Sequence, residues 1–488
     1  MSTIAVIGSG VAGLASAALA ANKGYDVCVF EANSVLGGKA GEIREAGFRF
    51  DRGPSLFTMP EVLDELFTTC GKNPSDYYSY SRLPVITKYF YPNGKVFHAY
   101  AKAEDFAQEF EQVFGERSDH VLEYLHHAQK VFELTEEVFL RHPLRKAWRY
   151  IPKHVLPKTA SLRRLKAFTT LNALHKKFFT TPEAIQLFNR YATYNGSDPY
   201  RAPGTMAVIS HLEHNHGAYI MNKGMHQVVQ SLIQLGKELG VDYYTNRPVE
   251  EILLEGRRAS GIRLGDQEHL FDRVITNMDV QPTYNKLLPS VKPPQKVLNQ
   301  EKSTSALIFY WGVHGEHSDL DVHNILFSAD YQHEFDALRN GRVSDDPTVY
   351  LYISKKHIPN DAPDKSENWF VMINVPHDSG QDWEEIVARA KDNILAKIES
   401  MLGITLSSKI RFEQVWTPKG IELDTFSHGG SLYGNASNSP FSAFLRHSER
   451  NSSLKNLRFV GGGGHPGGGV PLCLLSAKIA VDSLVDSL

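Results

Sequence analysis

The sequence feature that most constrains this chain is a glycine-rich turn between an apolar segment and an alanine-rich run. Ile4-Ala-Val-Ile7 has the composition of a short buried β-strand, and Gly8-Ser-Gly10-Val-Ala-Gly13 follows it without a spacer. A run with helical character then extends to Asn22, and a second apolar segment, Val27 to Phe30, ends at Glu31. A strand, a glycine turn, a helix, a strand and a terminal acid in this order predict a βαβ unit that binds a dinucleotide.

Each glycine of the turn has a physical role in such a unit. Gly8 permits the tight turn, Gly10 lets the backbone approach a pyrophosphate, and Gly13 lets the helix and the strand pack closely. The helix N-terminus, where Val11 and Ala12 lie, offers free N–H groups and the positive end of its dipole to the phosphates. We therefore expect all five residues at a dinucleotide site.

The second strand ends at Glu31 and Ala32, where an acid accepts hydrogen bonds from a ribose diol. A carboxylate there repels a ribose phosphate, which disfavours NADP. A signal peptide is suggested by Ala18-Leu-Ala20 after an apolar run, but no Lys or Arg precedes that run and glycines interrupt it. A plain strand–helix unit would not need three glycines at these spacings. Dinucleotide binding is therefore the favoured interpretation.

The amino-acid composition limits the classes of protein to which the chain can belong. With 42% hydrophobic and 22% charged residues, the 488-residue chain resembles a soluble globular protein of two or three domains. Three sparse cysteines without metal-ligand spacing indicate a reducing compartment and no structural disulfide. The chain has no uninterrupted apolar run of about eighteen residues, so we expect no membrane-spanning helix. Three histidines within residues 211–216 lack a carboxylate-rich frame, and we expect no metal site.

Two further glycine-containing segments follow the acid. Leu36-Gly-Gly-Lys-Ala40 places Gly37 and Gly38 beside Lys39, which suits a loop passing close to a phosphate or a ribose. The next segment begins at Gly47 and alternates apolar with polar residues as a strand does, and it then enters a turn that contains Gly53, Pro54 and Ser55. Either segment alone is compatible with a surface hairpin. Their order behind the first motif makes both candidates for the same site.

The C-terminal region holds the densest glycine run. A strand pattern over 457–460 leads into Gly461-Gly-Gly-Gly-His-Pro-Gly-Gly-Gly469, in which seven of nine residues are glycine, and a helix is predicted over 472–484. Glycine costs conformational entropy on folding, so such a run needs a reason. It lets backbone approach a flat ligand, and the N-terminus of the following helix stabilises negative charge on it. The residues expected in contact are Gly463, Gly464, Gly468, Gly469 and Val470.

These motifs together resemble the flavoprotein superfamily of amine oxidases, phytoene desaturases and GDP-dissociation inhibitors. The GxxHPGxGxP pattern is similar to the carotenoid-desaturase signature, and the matching motifs extend from residue 4 to 480. The resemblance implies an α/β fold: a Rossmann-like FAD-binding domain, a mixed-sheet substrate domain and a helical membrane-associating region. It also implies FAD as the cofactor and a contact between the adenine and the backbone of Val249. The family commonly has Gly-Gly before Met225; here the pair is Lys223-Gly224, which puts the close-approach role of the first glycine in doubt.

The order of the motifs predicts interwoven domains. We expect the FAD-binding domain to comprise residues 1–80, 216–288 and 426–488. The substrate domain is expected over 81–105 and 289–425, where long strand patterns and a clear helix over 383–401 alternate. Residues 106–215 are expected to form the helical, basic region that associates with a membrane.

The stretch 141–182 is cationic and amphipathic. It contains eleven Lys or Arg residues and no acid, with aromatic and aliphatic residues interleaved. Such a segment suits the headgroup layer of an anionic membrane. A solvated helix face and a nucleic-acid patch are the alternatives, and no nucleic-acid fold signature accompanies the segment. We expect a peripheral location at the inner, cytoplasmic face of a membrane.

The resemblance implies a carotenoid desaturase, which removes hydride and a proton from adjacent carbons of a lipid-dissolved C40 or C30 polyene. The hydroxycarotenoid branch implies the C-3,4 bond of a 1-hydroxylated or monocyclic carotenoid. A phytoene desaturase, a flavin-dependent carotenoid isomerase or saturase, and a non-enzymatic prenyl-protein binder remain alternatives. A quinone or oxygen would reoxidise the flavin. No catalytic base is assigned; His465 in the glycine-rich run is a candidate, and the alternative interpretation is that it anchors the loop.

Overall fold

The N-terminal glycine motif folds as predicted. In the computed structural model, which describes residues 2–144 and 166–485, strand Thr3–Ile7 pairs in parallel with strand Asp26–Phe30, and helix Val11–Asn22 connects them. The first turn of the helix begins directly after Gly10, its N-cap residue. The strand–turn–helix–strand prediction is confirmed.

The remaining elements are numbered in chain order. The strands are β1 Thr3–Ile7, β2 Asp26–Phe30, β3 Glu42–Glu45, β4 Phe48–Asp51, β5 Tyr80–Arg82, β6 Val85–Phe90, β7 Val96–Tyr100, β8 Tyr219–Met221, β9 Asp242–Tyr244, β10 Glu251–Glu255, β11 Arg258–Leu264, β12 Gln267–Leu270, β13 Arg273–Thr276, β14 Ser305–His314, β15 His323–Leu326, β16 Val349–Ile353, β17 Ser366–Val375, β18 Ile410–Trp416 and β19 Leu457–Phe459. The helices are α1 Val11–Asn22, α2 Pro60–Thr69, α3 Ala103–Phe114, α4 Ser118–Phe139, α5 Leu171–Phe178, α6 Pro182–Asn189, α7 Val208–His211, α8 His226–Glu238, α9 Val280–Pro282, α10 Gln295–Leu298, α11 Tyr331–Arg339, α12 Trp383–Leu402, α13 Pro418–Thr425 and α14 Val470–Val485.

The first sheet is parallel and has the order β19-β13-β1-β2-β9. Its strands come from the three segments that the sequence assigns to the FAD-binding domain. Helices α1, α8 and α14 pack on one face, where an apolar cluster buries alanines of α1 against Val228 and Val481. The other face packs against the antiparallel sheet β10-β11-β12. The sequence analysis missed β12, because its residues are mostly polar and solvent-exposed.

The second sheet is mixed and has the order β18-β14-β17-β16-β15-β6-β7. Its pairs are antiparallel except β15 and β6, which run in parallel. The β6–β7 pair forms a hairpin, and the long strand patterns expected within 289–425 include β14, β16, β17 and β18. One face of this sheet is covered by α12. The opposite face is turned toward the first sheet.

Helices α3 to α7 form an aromatic-rich cluster beside the end of the mixed sheet. Within the region expected to be helical, α3 and α4 are separated at Gly115, which adopts a left-handed conformation with φ of 70°. Most of the cationic stretch, residues 145–165, lies outside the described residues. Among the helices within 2–144 and 166–485, none combines the length and apolar composition needed to cross a bilayer.

Several buried histidines make the stability of the fold sensitive to acid. Burial lowers the pKa of His175 to about 3 and that of His214 to about 4, against an ordinary value of 6.5. The unfolded chain therefore binds protons near pH 6 that the folded chain does not, so stability falls as the pH drops from 6.5 through the folded pKa values. We expect urea-unfolding free energies to decline across this window. The variant His175→Gln, which cannot protonate, should decline less steeply; an unchanged slope would contradict the assignment.

Candidate cofactor and substrate cavity

A cavity of about 780 Å3 lies between the parallel and the mixed sheet. It begins where β1, β2 and β13 end, the edge at which open parallel sheets bind ligands. The sequence-predicted cofactor residues that line it are Gly8, Gly10, Val11, Ala12, Glu31, Ala32, Gly37, Gly38, Lys39, Gly53, Pro54, Ser55, Val249, Gly463, Gly464, Gly468, Gly469 and Val470. Segments separated by more than 400 residues of sequence therefore share one wall.

Gly13 is the predicted cofactor residue that does not line the cavity. A Cβ at this position would lie 2.1 Å from the carbonyl oxygen of Gly8, closer than side-chain atoms approach backbone. Gly13 therefore acts through the packing of α1 against the turn, the role that the motif itself assigns to its third glycine.

Asn277 connects the two glycine-rich segments and was missed by the sequence analysis. Its side-chain Nδ2 donates a hydrogen bond to the carbonyl of Val460, 3.1 Å away. A Cβ on Gly10 would lie 2.5 Å from the Asn277 Oδ1, and a Cβ on Gly461 would lie 2.5 Å from its Nδ2. The amide thus fills the space that both glycines leave. Its sequence signal is a polar residue directly after the apolar strand β13.

Glu31 is buried, with 6% of its surface exposed, and its carboxylate is held by four donors. The backbone N–H and hydroxyl of Ser9 donate to Oε2 at 2.9 and 2.6 Å, and the backbone N–H and side-chain amide of Asn33 donate to Oε1 at 2.9 and 3.0 Å. A carboxylate has about four lone-pair sites, so the set is complete. A ribose diol at this position would take the place of the two side-chain donors, since those alone can rotate away.

The loop with Gly37 and Gly38 lies against the first turn. Gly37 forms a β-bridge with Gly10, and a Cβ on Gly38 would lie 3.3 Å from the Gly10 Cα. The amine of Lys39 donates to the carbonyl of Leu432 at 3.0 Å, which ties the loop to the segment before the last strand. Burial lowers the pKa of Lys39, and nearby Asp279 partly opposes that shift.

The C-terminal glycines allow close approach of backbone to an aromatic ring. A Cβ on Gly468 would lie 2.6 Å from the ring of Tyr433, and one on Gly462 would lie 3.1 Å from the Gly468 Cα. Helix α14 begins at Val470, two residues before the predicted start, so its N-terminus reaches the cavity wall. The first N–H groups of an α-helix have no partner within the helix and carry a partial positive charge.

His465 is not among the residues that line the cavity. Its Nε2 donates a hydrogen bond to the carbonyl of His142 at 2.8 Å, and its backbone N–H donates to the carbonyl of His447. Burial lowers the pKa of its imidazole. These contacts place His465 as an anchor of the glycine-rich run, the alternative that the sequence analysis left open.

Arg49 explains why the Lys223-Gly224 pair needs glycine at its second position. A Cβ on Gly224 would lie 1.8 Å from an Arg49 guanidinium nitrogen, whereas Lys223 is exposed to solvent. Arg49 in turn forms ion pairs with Asp51 and Asp361 beneath the mixed sheet. The second glycine is therefore the one that close approach requires, and the departure at the first has no steric consequence.

The opposite wall of the cavity is a cross-strand row of the mixed sheet. The strand registers align one residue from each of five neighbouring strands, and all five line the cavity: Trp416, Ile308, Met372, Tyr350 and Ile325. Strands are about 4.8 Å apart, so the row extends roughly 19 Å. Phe370, two residues before Met372 in β17, lies on the same face of the sheet and also lines the cavity. The result is an apolar strip suited to an elongated hydrophobic ligand.

The fold and the cavity define a dinucleotide-dependent oxidoreductase with an apolar substrate side. The family model described as flavin containing amine oxidoreductase matches residues 11–485, and the chain belongs to that family. The predicted oxidoreductase class and the predicted cofactor, FAD, are thereby confirmed.

Three known proteins illustrate the similarity. The chain is 46% identical to a 1-hydroxycarotenoid 3,4-desaturase of a Flavobacterium species over 478 residues, 98% of each chain. It is 30% identical to a 4,4'-diaponeurosporene oxygenase of Staphylococcus haemolyticus over 99% of this chain and 96% of that one. The cyclohexylamine oxidase of Brevibacterium oxydans has the same fold, with a TM-score of 0.63, 15% identity and 99% coverage of both chains. The predicted α/β fold of a flavin-dependent oxidoreductase is confirmed.

Proposed function

We propose that the protein is an FAD-dependent carotenoid desaturase that introduces a C=C bond at C-3,4 of a 1-hydroxylated or monocyclic carotenoid. The observation that carries the proposal is the 46% identity, over nearly the full length of both chains, to a relative with that activity in its name. The apolar row that faces the glycine-lined wall supports it, because a long polyene needs an extended hydrophobic surface.

The glycine-lined wall fits FAD residue by residue. The N-terminus of α1 would hold the pyrophosphate, Glu31 the ribose and the Val249 backbone the adenine. The run from Gly463 to Val470 would lie along the flat ring system, and at Gly468 an added Cβ would lie 2.6 Å from the ring of Tyr433. When bound, the flavin supplies a two-electron acceptor for the hydride.

The mixed sheet would orient the substrate. The row from Trp416 to Ile325 offers aromatic and aliphatic contacts without a charged group, so the polyene is held by burial and by the shape of the wall. Such a wall also excludes water from the reacting carbons. Loss of hydride from an allylic C–H leaves a positive charge that an extended polyene delocalises. The row itself contains no carboxylate.

An exposed aromatic patch supports a membrane-peripheral, cytoplasmic location. Phe168 is 84% exposed and Phe441 57%, and their rings lie 6.3 Å apart. Phe444 and Leu445 are also exposed beside them. Phe168 belongs to the cationic stretch 141–182, and apolar side chains next to cations suit an anionic bilayer surface. From there a lipid-dissolved substrate would enter, and a membrane quinone or oxygen would accept the electrons.

We expect neutralisation of the cationic stretch to weaken vesicle binding. The variant Lys146→Gln/Arg149→Gln/Lys153→Gln should lose about 1 kcal/mol of binding free energy per residue to vesicles with anionic lipid. Co-sedimentation measures the loss. The matched control neutralises exposed cations elsewhere, in the variant Lys237→Gln/Arg258→Gln/Lys419→Gln. Equal binding by both variants would contradict a specific role for the stretch.

Anaerobic turnover in liposomes tests the proposed activity. The FAD-loaded protein is mixed with a 1-hydroxylated carotenoid, a monocyclic carotenoid or phytoene, and the oxidised-flavin absorbance and the products are followed. Bleaching with the hydroxylated or monocyclic substrate, together with a product two hydrogens lighter, is the expected result. Bleaching with phytoene alone identifies a phytoene desaturase, and an isomeric or more saturated product identifies the related isomerase or saturase. A protein that binds no FAD would favour the prenyl-protein binder.

A further inference from the structure

Three polar side chains interrupt the apolar character of the cavity near the end of the cross-strand row. Arg190, His323 and Tyr331 all line the cavity, and they are 7%, 2% and 6% exposed. Across residues 2–144 and 166–485, no group supplies a hydrogen-bond partner to the Arg190 Nε, the His323 Nε2 or the Tyr331 hydroxyl. A buried polar atom without a partner costs free energy, so three at one place call for an explanation.

A chain of hydrogen bonds links this group to the cofactor side of the cavity. The Ser55 hydroxyl, in the predicted cofactor turn, is 2.7 Å from the hydroxyl of Tyr350. The Tyr350 hydroxyl is also 2.7 Å from the Nδ1 of His323. The unpartnered Nε2 of His323 is therefore on a ring fixed two hydrogen bonds from the glycine-lined wall.

The charge of Arg190 is already compensated. Its guanidinium donates to the Tyr89 hydroxyl at 2.6 Å, lies 3.5 Å from the Glu213 carboxylate and stands over the rings of neighbouring tyrosines. Burial, with a contribution from Arg190, lowers the pKa of His323 to about 3, so its imidazole is neutral at physiological pH. The polar side chains at this end of the cavity can therefore form further hydrogen bonds, but they carry no uncompensated positive charge that would bind an anion.

We propose that Arg190, His323 and Tyr331 form the site that binds the terminal hydroxyl oxygen of the substrate. The inference rests on the proposed function and deepens it: the enzyme recognises an oxygenated end group, not only a polyene. In a 1-hydroxylated carotenoid the oxygen is three bonds from C-3, so its binding site must adjoin the cofactor wall, as the Ser55–Tyr350–His323 chain does. A site built to hydrogen-bond an oxygen disfavours the hydrocarbon analogue, because the polar atoms then stay unpaired.

Substrate selectivity tests the assignment. The kcat/KM of the FAD-loaded enzyme in liposomes is measured for a 1-hydroxylated carotenoid and for the hydrocarbon that lacks only the oxygen. We expect the wild type to prefer the hydroxylated compound, and Tyr331→Phe to lower that preference about tenfold by raising KM for the hydroxylated compound alone. His323→Asn keeps a group near the Nδ1 position but removes Nε2, and it should act in the same direction.

Tyr243→Phe is the matched control. Its buried hydroxyl also lacks a partner among the described residues, but Tyr243 does not line the cavity, so selectivity should stay at the wild-type value. Thermal stabilisation of each variant by the two carotenoids gives a readout that does not depend on turnover. Equal stabilisation and equal kcat/KM in the wild type, or an unchanged preference in both cavity variants, would overturn the inference while the desaturase proposal stands. Absence of turnover with every carotenoid refutes the proposed function instead.

Discussion

The variant Gly13→Ala is expected to lose both stability and FAD. A Cβ at Gly13 would lie 2.1 Å from the Gly8 carbonyl oxygen and 3.1 Å from the Asn277 side chain. The first of these atoms belongs to the backbone of the tight turn, which cannot move without displacing α1 from β1. Overpacking of this kind costs about 3 kcal/mol. Urea unfolding of the FAD-free protein measures the stability, and absorbance after gel filtration measures the retained flavin.

Gly41→Ala is the control for this prediction. Gly41 belongs to the neighbouring loop and has a φ of −76°, and the nearest atoms to an added Cβ are 3.6 Å away, an ordinary contact distance. Its stability should change by about 0.5 kcal/mol or less. If Gly13→Ala unfolds like the wild type and yet binds no FAD, then Gly13 contacts the cofactor directly and our packing interpretation is wrong.

The N-terminal unit was predictable because its information is local. Gly8, Gly10 and Glu31 occupy positions whose roles follow from a strand, a turn and a helix that are consecutive in sequence. The C-terminal glycines were predictable for a similar reason, since a run of that density has few structural uses other than close approach of backbone to another group. Both segments line the cavity.

The residues that were missed depend on the order of strands in space. Asn277 acts as a brace only because β13 lies between β1 and β19, an arrangement that no local pattern encodes. The apolar row likewise needs the pairing order β18-β14-β17-β16-β15, which places residues from 308 to 416 side by side. The loop that contains Lys39 was expected to pass close to a phosphate or a ribose; Lys39 lines the cavity, and the direction of its amine, toward the carbonyl of Leu432, could not be predicted. Side-chain direction at the end of a long flexible chain is decided by tertiary contacts.

The burial of charged side chains is the other property that could not be predicted from the sequence. Arg190 and Glu213 are separated by 23 residues and belong to different helical turns, yet they meet beside the cavity. The sequence analysis singled out neither residue. The structure makes both of them nearly inaccessible to water, at 7% and 1% exposure. A buried charge is destabilising without its partner, so removal of the partner is the second change for which we expect a large effect.

Glu213→Gln is expected to destabilise the protein by about 3–5 kcal/mol, because it leaves the buried guanidinium of Arg190 without a counter-charge. The carboxylate also accepts hydrogen bonds from the hydroxyls of Tyr191, at 2.7 Å, and Tyr194. A glutamine can accept at one oxygen only, so one tyrosine hydroxyl would lose its acceptor. Urea unfolding at constant pH and FAD concentration measures the loss.

The exposed pair Arg201–Glu301 provides the comparison. Its atoms are 2.7 Å apart, closer than those of the buried pair, but the side chains are 37% and 46% exposed. Solvent screens such pairs, so Glu301→Gln should change the unfolding midpoint only slightly. If the two variants are equally stable, water reaches Arg190 in the folded protein. The hydroxyl-binding site would then be wet, and its preference for an oxygenated end group should be correspondingly weak. A large loss in Glu213→Gln alone instead indicates a dry site, where each unpaired donor favours an oxygen-bearing substrate.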